Sequence, residues 1–544
     1  MPDRTYCTPQ DAKALFQKHG EFAVLDVREQ EEFSRSHMLL ASCVPLSRIE
    51  LMVEALVPCK QIPVLLVDEG GEPEPARAER AADVLTEMGY TTPIVLRGGM
   101  AAWRQAGYVD FNGVGALSKG FGEYVEEQQN TPRLEPAEIK KLLDSDAKTV
   151  VIDVRPRNEF NIMNIPGAIN APGCEVTYRV ADLVPDADTT IVINCAGRTR
   201  SIIGTQTLIN AGLPNRVVAL KGGTMNWQLA GFTLDYGTTL RTAPPSLHAL
   251  DVARERACRV AKACGVRFID ATTLDGWRKE AESKTLYIFD VRQPEEYNAG
   301  HLPGSRNAQG GQLVQATDEY AAVRNARFVL VDDTEVRAIM TAHWLIQMGY
   351  PEIYVLKGGL GQSGLGARGL LYGPEPAASV RLPELPTISA AELSTQLEEP
   401  NPPLIINVGT SKGHRVSHIP GAVWVPRSYL RLAGELVAKS DRVVMTSDTE
   451  LHAALAAHDA IQMWPDVQIA VLRGGNAGWQ AAGLAAADGM PVALAAEDDV
   501  WYKPYTDINA KPETMKSYFD WEFGLVEQIR KDGDVAFRLI PPMN

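Results

Sequence analysis

The sequence predicts four tandem α/β domains, each a small parallel sheet flanked by helices. Three observations predict this class. The 544 residues exceed what one hydrophobic core usually supports. A set of short motifs recurs four times in the same order. Within each copy, short strands of the buried type alternate with helical patterns, as in parallel sheets. We expect domains 1 to 4 at residues 5–110, 134–236, 263–373 and 386–487.

Each copy begins with an apolar strand that ends in Asp-Val-Arg or a variant of it. The four motifs start at Asp26, Asp153, Asp290 and Asn407. A Pro-Gly segment follows in copies two to four, and these residues favour a tight turn. The first copy has a weaker version of this segment, which starts at His37.

Each copy ends with a Leu, a basic residue and two glycines. A tryptophan follows five residues after the first glycine in copies one, two and four, whereas the third copy has Ser363 there. A glycine pair could form a phosphate-binding loop. Because Gly222 and Gly223 have counterparts in all four copies, a backbone turn is the better interpretation.

The segments between and after the copies differ in composition from the domains. Gly, Pro and polar stretches at residues 112–115 and 374–376 predict linkers. Residues 488–544 are expected to form a helical tail, because residues 514–531 space apolar side chains along one side of a helix. That side predicts packing or docking rather than a catalytic site, and it carries Met515, Tyr518, Phe519, Phe523 and Val526.

The composition excludes several classes of function. A net charge of −15 argues against general binding to nucleic acid or to an anionic membrane. No segment approaches the ~20 apolar residues of a membrane helix, and the first residues lack the apolar region of a signal peptide. Seven cysteines without a regular spacing favour a reducing compartment, so a cytoplasmic location is expected.

Taken together, the ordered motifs resemble the rhodanese family over nearly the whole chain. The resemblance implies a doubly wound parallel sheet in each domain, with an active loop between a central strand and a helix. It also implies sulfur transfer through a cysteine, with neither a metal nor an organic cofactor.

The second copy carries a cysteine at this loop. Its strand at residues 191–194 runs directly into Cys195, and a helical pattern follows. Backbone N–H groups and the helix dipole favour anions at such a junction. We expect Gly197 to free the backbone for a cradle of amides, and Arg198 and Arg200 to attract an anionic donor and favour the reactive thiolate. The predicted catalytic residues are Cys195 and Arg200, and the predicted substrate-binding residues are Ala196, Gly197, Arg198, Thr199 and Arg200.

The other copies lack this cysteine. Asp153 and Cys195 are 42 positions apart, and the same offset in copies one and three leads to Asp68 and Asp332. Strand alignment places Ser447 there in copy four. A carboxylate cannot accept a sulfane sulfur and repels anionic donors, and a serine does not form a persulfide. Domains 1, 3 and 4 are therefore predicted to be inactive.

The predicted reaction moves sulfane sulfur from thiosulfate or a related persulfide donor to cyanide, glutathione or a protein thiol. Four residues separate Cys195 from Arg200, whereas the related dual-specificity phosphatases have five, so the loop has the sulfurtransferase form. A sulfur carrier or a redox-sensing binding scaffold is the alternative. A homodimer or a protein sulfur acceptor stays open as a partner.

Three further residues need an interpretation. Asp153 and Arg155 recur in copies without a nucleophile, which indicates a structural role, and we expect Arg155 to pair with Glu159. Cys174 follows the Pro-Gly turn of the second copy. Two interpretations of Cys174 stay open, a buried structural thiol and a thiol near the pocket that forms a disulfide with Cys195.

Overall fold

The protein, represented by a computed structural model that describes residues 4–71, 75–239, 242–362 and 369–541, contains four parallel sheets. In each domain five strands lie in the order first, fifth, fourth, second, third. Helices flank each sheet. The predicted fold, four α/β domains with doubly wound parallel sheets, is confirmed. Ser363 lies outside the described residues.

Domains 1 and 2 have the same succession of strands and helices. The elements of domain 1 are β1 (Thr5–Cys7), α1 (Pro9–Phe16), β2 (Phe22–Asp26), α2 (Gln30–Arg35), β3 (Ser42–Cys43), α3 (Ile49–Leu56), β4 (Val64–Val67), α4 (Arg77–Glu87), β5 (Pro93–Leu96) and α5 (Gly99–Gln105). After α6 (Ala116–Gln129), domain 2 has β6 (Arg133–Leu134), α7 (Pro136–Leu143), β7 (Thr149–Asp153), α8 (Arg157–Ile162), β8 (Ile169–Asn170), α9 (Val176–Leu183), β9 (Thr190–Asn194), α10 (Thr199–Asn210), β10 (Val217–Leu220) and α11 (Gly223–Leu229).

Domains 3 and 4 follow the same plan. After α12 (Leu247–Cys264), domain 3 has β11 (Arg267–Ile269), α13 (Ala271–Glu280), β12 (Leu286–Asp290), α14 (Pro294–Asn298), β13 (Arg306–Asn307), α15 (Gly310–Gln315), α16 (Thr317–Tyr320), β14 (Val323–Arg324), β15 (Arg327–Val331), α17 (Val336–Gln347), β16 (Ile353–Leu356) and α18 (Gly359–Gln362). Domain 4 has β17 (Thr387–Ile388), α19 (Ala390–Leu397), β18 (Leu404–Asn407), α20 (Ser411–Val416), β19 (Val423–Trp424), α21 (Gly434–Val437), β20 (Arg442–Thr446), α22 (Glu450–Met463), β21 (Gln468–Leu472) and α23 (Gly475–Ala481), and α24 (Pro512–Asp532) follows it.

Helices lie beside two of the domain junctions. The 14-residue α6 begins directly after the predicted linker at residues 112–115, and the 18-residue α12 precedes domain 3. The glycines and prolines that predict linkers allow the chain to change direction, but a helix can begin directly after them. α6 packs against α10 and α24 and so reaches the second domain.

The domains pack closely in pairs. β14 of domain 3 adds an antiparallel strand to the sheet of domain 1, with Val323 opposite Ala23. Domain 4 contacts domain 1 through Arg427, which donates hydrogen bonds of 2.7 and 2.8 Å to Glu50. Domain 2 meets domain 3 at the active-loop end of both sheets.

The C-terminal segment, residues 498–541, contacts all four domains, and we call it the strap. The carbonyl of Asp498 accepts a hydrogen bond of 2.8 Å from Glu31 N in domain 1. α24 then crosses domain 2, and Arg538 N donates to the carbonyl of Gln347 in domain 3 over 2.8 Å. Among the described residues, none of the helices has the length and apolar character needed to span a bilayer.

Candidate active site

Cys195 is the first residue after β9, and α10 begins four residues later at Thr199. The Cys195 carbonyl accepts hydrogen bonds from Thr224 N, 2.8 Å away, and from Thr224 Oγ1, 3.0 Å away. On the strand side, Asn194 Nδ2 donates to Asp153 Oδ2 over 2.8 Å. The start of the loop is therefore fixed by both neighbouring strand ends.

The glycine pair of domain 2 packs against the backbone at the start of this loop. Gly223 has a φ of +57°, and a Cβ at this position would lie 2.4 Å from the Cys195 carbonyl oxygen. Only glycine fits this backbone conformation and this close approach. The pair forms a turn against the loop rather than a phosphate site.

Each domain has the equivalent contact at the start of its loop. In every case a backbone N–H that follows the glycine pair donates over 2.8 Å to the carbonyl of the first loop residue; the acceptor residues are Asp68, Cys195, Asp332 and Ser447, and the donors are Met100, Thr224, Leu360 and Asn476. One thiol, two carboxylates and one hydroxyl thus occupy corresponding positions.

The Cys195 side chain is buried, with 1% of its surface exposed. Burial raises the pKa of its thiol above the usual value, while Arg200 and the hydrogen bonds of Ser201 lower it. The net direction is upward, whereas the position of Cys195 and its two arginines were expected to shift the pKa downward. The free-energy cost of removing the thiolate from water exceeds the stabilisation that it receives from Arg200, whose guanidinium also binds the Glu159 carboxylate.

The Arg200 guanidinium binds side chains from two domains. Its Nη1 and Nη2 atoms donate hydrogen bonds of 2.7 Å to the two carboxylate oxygens of Glu159. Nη1 also donates to Gln312 Oε1, 3.1 Å away, from domain 3. Although burial opposes ionisation of Glu159, Arg200 holds the pKa of that carboxyl below its usual range. Domain 3 therefore contributes a residue to the surroundings of Cys195.

Arg198 points towards α6 and has carboxylate partners there. Its guanidinium donates to Glu123 over 2.7 and 2.5 Å and to Glu126 over 2.6 Å. It also lies 4.3 Å from the centre of the Phe523 ring of the strap. These contacts neutralise the charge that was expected to attract a donor, and they make Arg198 an anchor between the loop, α6 and α24.

The remaining loop residues face the strap. Gly197 does not have a positive φ, so its small size matters through close packing: a Cβ there would lie 3.2 Å from Met225 Cε and 3.4 Å from Tyr518 Cε1. Ala196 is buried in an apolar cluster with Met225 and strap residues. Thr199 Oγ1 donates to Glu522 Oε1 over 3.4 Å.

The strap forms a roof over the Cys195 loop. Tyr505 packs in the apolar cluster that holds Ala196, and its ring centre lies 5.6 Å from that of Tyr518. Burial raises the pKa of the Tyr505 hydroxyl, and the positive charge of Arg200 opposes that rise. Burial, with the nearby Glu123, raises the pKa of Glu522 to about 7. The roof is thus aromatic and contains one buried carboxyl, Glu522.

Domains 1 and 3 fill their loops with their own carboxylates. Asp68 accepts hydrogen bonds of 3.0 Å from Gly70 N and Ala78 N. Asp332 accepts from Arg337 N over 2.9 Å, and burial raises its pKa to about 6. In these two domains, backbone N–H groups of the loop or of the helix that follows it bind an internal carboxylate.

In domain 4, Ser447 Oγ lies 2.9 Å from His452 Nδ1, and His452 Nε2 lies 2.9 Å from the Ser47 carbonyl. Burial lowers the pKa of His452 to about 3, so the ring is neutral. The Ser47 carbonyl accepts from Nε2, which leaves Nδ1 to accept from the Ser447 hydroxyl. The histidine joins domain 4 to domain 1.

Two further predictions can be compared with the structure. Arg155 pairs with Asp153, through hydrogen bonds of 3.0 and 2.8 Å, and not with Glu159 as expected, because Glu159 is taken by Arg200. Cys174 is a free thiol. It is buried against domain 3, donates to the Met340 carbonyl over 3.4 Å, and has a pKa that burial raises to about 12.

Sequence reasoning missed the residues that surround the loop from outside domain 2. Gln312 and the strap residues Tyr505, Tyr518 and Glu522 lie more than a hundred positions from Cys195. Short motifs carry no signal for such contacts. Gln312 and Glu175 occupy corresponding positions of domains 3 and 2, because each lies 22 positions after the aspartate of its Asp-Val-Arg motif, Asp290 or Asp153.

In the described part of the chain, no cluster of three or more His, Cys, Asp or Glu residues could hold a metal ion.

Comparison with known families gives four matches along the chain. The family of the Rhodanese-like domain matches residues 8–106, 135–230, 271–362 and 389–482. A solved structure described as thiosulfate sulfurtransferase from Pseudomonas aeruginosa is 42% identical to this chain, with a TM-score of 0.93. The match covers 99% of this chain and 100% of that one.

Curated relatives match over single domains. The HTH-type transcriptional regulator Rv0324 of Mycobacterium tuberculosis is 36% identical over 90 residues, which are 16% of this chain and 39% of the regulator. The adenylyltransferase and sulfurtransferase UBA4 of Candida albicans is 33% identical over 102 residues, 18% of this chain and 23% of that protein. The chain thus spans well under half the length of these curated relatives.

Proposed function

Because this chain belongs to the rhodanese-like family, with four matching segments, we propose that it is a sulfurtransferase that carries sulfane sulfur as a Cys195 persulfide. One observation carries the proposal. A thiol begins the loop of domain 2, in the field of the Arg200 guanidinium and just before α10. Two other domains place carboxylates at this position, and those carboxylates accept hydrogen bonds from nearby backbone N–H groups. The whole-length likeness to a thiosulfate sulfurtransferase supports thiosulfate as a donor.

The proposed reaction has two steps. The Cys195 thiolate attacks the outer sulfur of thiosulfate, the S–S bond of the donor breaks, and sulfite leaves with the bonding electrons. An acceptor such as cyanide or a thiolate then attacks the outer sulfur of the persulfide, and the Cys195 thiolate is released. Loop amides of residues 196–200 stabilise the anionic persulfide, as the amides of domains 1 and 3 stabilise carboxylates.

Mass spectrometry of the intact protein and its peptides tests the proposal. After treatment with thiosulfate we expect a gain of one sulfur atom on the peptide that contains Cys195, and its loss when cyanide is added. Cys258 is exposed and serves as an internal control thiol. Sulfur on another cysteine, with Cys195 unmodified, contradicts the assignment.

A sulfur carrier is the second candidate, and the burial of Cys195 favours it. A carrier loads once and discharges to one protein, whereas an enzyme turns over with small molecules. Steady-state production of thiocyanate from thiosulfate and cyanide, measured over many equivalents per protein, supports the enzyme. A single stoichiometric burst supports the carrier.

A further inference from the structure

A cleft with a basic lining lies where domain 1, domain 3 and the strap meet. Its cavity of about 600 Å³ is within the range of small-molecule sites. Residues 16–19 of domain 1, 349–351 of domain 3 and 533–536 of the strap contribute to its walls. None of residues 195–200, all of which the structure describes, lines it. We call it the basic cleft.

Hydrogen bonds hold the three walls of the basic cleft together. Asn325 Nδ2 of domain 3 donates to the Gly20 carbonyl of domain 1 over 2.9 Å. Arg538 N of the strap donates to the Gln347 carbonyl of domain 3 over 2.8 Å. These bonds join protein groups to one another, so the chain itself keeps the shape of the cleft. A preformed site costs a ligand less ordering of the protein when it binds.

The basic cleft is positively charged although the chain carries a net charge of −15. Four basic side chains line it, and they are Lys18, Arg267, Arg324 and Arg538. Asp534 is the one carboxylate among its lining residues, and Lys13 already binds it over 2.7 Å. In the part of the chain that the structure describes, none of the four cations has a carboxylate within 4.0 Å. Their charges are therefore available to a ligand.

Two of the guanidinium groups are held in place by tyrosine rings. The guanidinium carbon of Arg267 lies 4.2 Å from the centre of the Tyr354 ring, and its Nη2 donates to the Pro351 carbonyl. The guanidinium carbon of Arg324 lies 4.5 Å from the centre of the Tyr350 ring. Stacking restrains a guanidinium through its face, and most of its five N–H donors stay available for hydrogen bonds.

These features together indicate the class of ligand. Guanidinium N–H groups match the oxygens of a phosphate, which carries close to two negative charges at neutral pH. The cavity is larger than a bare oxyanion needs, and Phe16, Leu40 and Ile346 add apolar side chains to its lining. We propose that the basic cleft binds a small organic phosphate with two or more negative charges. The proposal does not depend on the reaction of Cys195.

Calorimetry with ADP as the probe tests the proposal on the full chain. ADP should bind, and adenosine, which has the same base and sugar but no phosphate, should bind at least tenfold more weakly. Higher ionic strength should weaken the binding of ADP, because salt screens the exposed cations. Inorganic pyrophosphate and citrate measure the effect of negative charge without an organic phosphate.

Two substitutions in the basic cleft locate the binding. The Arg267 and Arg538 side chains are exposed, and Arg267→Ala and Arg538→Ala should each raise the Kd for ADP about tenfold, the effect of one charge-assisted hydrogen bond. Arg97→Ala is the matched control. Arg97 is also exposed and lies 5.3 Å from the centre of the Tyr6 ring, but it is not a lining residue. Thermal unfolding without ADP should be similar in all three variants.

Three results would overturn the proposal. The first is the absence of ADP binding at millimolar concentration, and the second is an unchanged Kd in the double variant Arg267→Ala with Arg538→Ala. The third is equal affinity for ADP, pyrophosphate and citrate, which would exclude a site for an organic phosphate. Production of thiocyanate without ADP should be the same in Arg538→Ala and the wild type, so failure of this proposal leaves the proposed function unaffected.

Discussion

Glu159 holds Arg200 through two hydrogen bonds of 2.7 Å, one to each carboxylate oxygen. Domains 1 and 3 have corresponding pairs, Arg77 with Glu32 and Arg337 with Glu296. Bidentate pairing fixes the plane of a guanidinium. Because the pair recurs in domains whose first loop residue is an aspartate, it belongs to the architecture of the loop. The cysteine at position 195 is therefore the feature that distinguishes the loop of domain 2.

Cys195→Ser is expected to reduce sulfur transfer to the background rate. A hydroxyl is close in size to a thiol but far less acidic, so the fold should remain and the nucleophile should be lost. Thiocyanate production and thermal unfolding measure the two effects. Cys258→Ser, at an exposed thiol, is the control and should keep full activity. Turnover that survives in Cys195→Ser would show that a different group carries the sulfur.

Removal of the Arg200 charge should move the reactivity of Cys195 to higher pH. Burial raises the pKa of Cys195 and Arg200 opposes that rise, so loss of the guanidinium raises the pKa further. Since the thiolate is the reactive form, the rate of alkylation by iodoacetamide rises with pH. This rise should occur at higher pH in Arg200→Ala than in the wild type.

Arg200→Ala also leaves Glu159 without its partner, so the double variant Arg200→Ala with Glu159→Gln separates loss of the charge from loss of the fold. Arg200→Lys should give an intermediate profile. Identical pH profiles for the wild type and the double variant would place Arg200 outside the electrostatic field of the sulfur.

Asp332→Cys is expected to leave domain 3 inactive. Arg337 is already engaged there by Glu296 and by Asp333, the latter over 2.7 Å, and Asp333 lies next to the new thiol. Nearby carboxylates raise the pKa of a thiol and repel anionic donors. The whole segment 195–200 grafted onto positions 332–337 should transfer sulfur better than the single change. Both should be measured in a Cys195→Ser background, where near wild-type transfer by Asp332→Cys alone would contradict this account.

Asp153→Ala should destabilise domain 2 by about 3–5 kcal/mol, because it leaves the fully buried Arg155 without its carboxylate. Chemical denaturation measures the free energy of unfolding. Asp144→Ala, which removes a pair with Lys140 on the exposed face of α7, is the control and should change stability by no more than about 0.5 kcal/mol. Equal effects of the two changes would mean that the Asp153 pair is not structural.

Opening of the strap roof should expose Cys195. Tyr505 is buried against the loop, so Tyr505→Ala should increase the rate at which iodoacetamide modifies Cys195 severalfold. Tyr502→Ala, three residues away at a position with 46% exposure, is the control. Equal rates in the two variants would show that reagents reach the thiol by another route.

Much of the architecture follows from local sequence. Buried-type strands, Pro-Gly turns and glycine pairs act over a few residues, and their fourfold recurrence predicted four α/β domains. The strand-to-helix position of Cys195 and its alignment with Asp68, Asp332 and Ser447 were also readable, because an offset along the chain is preserved when the same fold is repeated.

Only the tertiary structure decided the surroundings of Cys195. Arg198 and Arg200 are both cations in the sequence, but one binds Glu123 and Glu126 of α6 and the other binds Glu159 and reaches Gln312 of domain 3. Burial raises the pKa of Cys195, whereas its position and its two arginines were expected to lower it. Desolvation and the choice among ion partners depend on which distant segments pack together, and the order of residues around Cys195 does not contain that information.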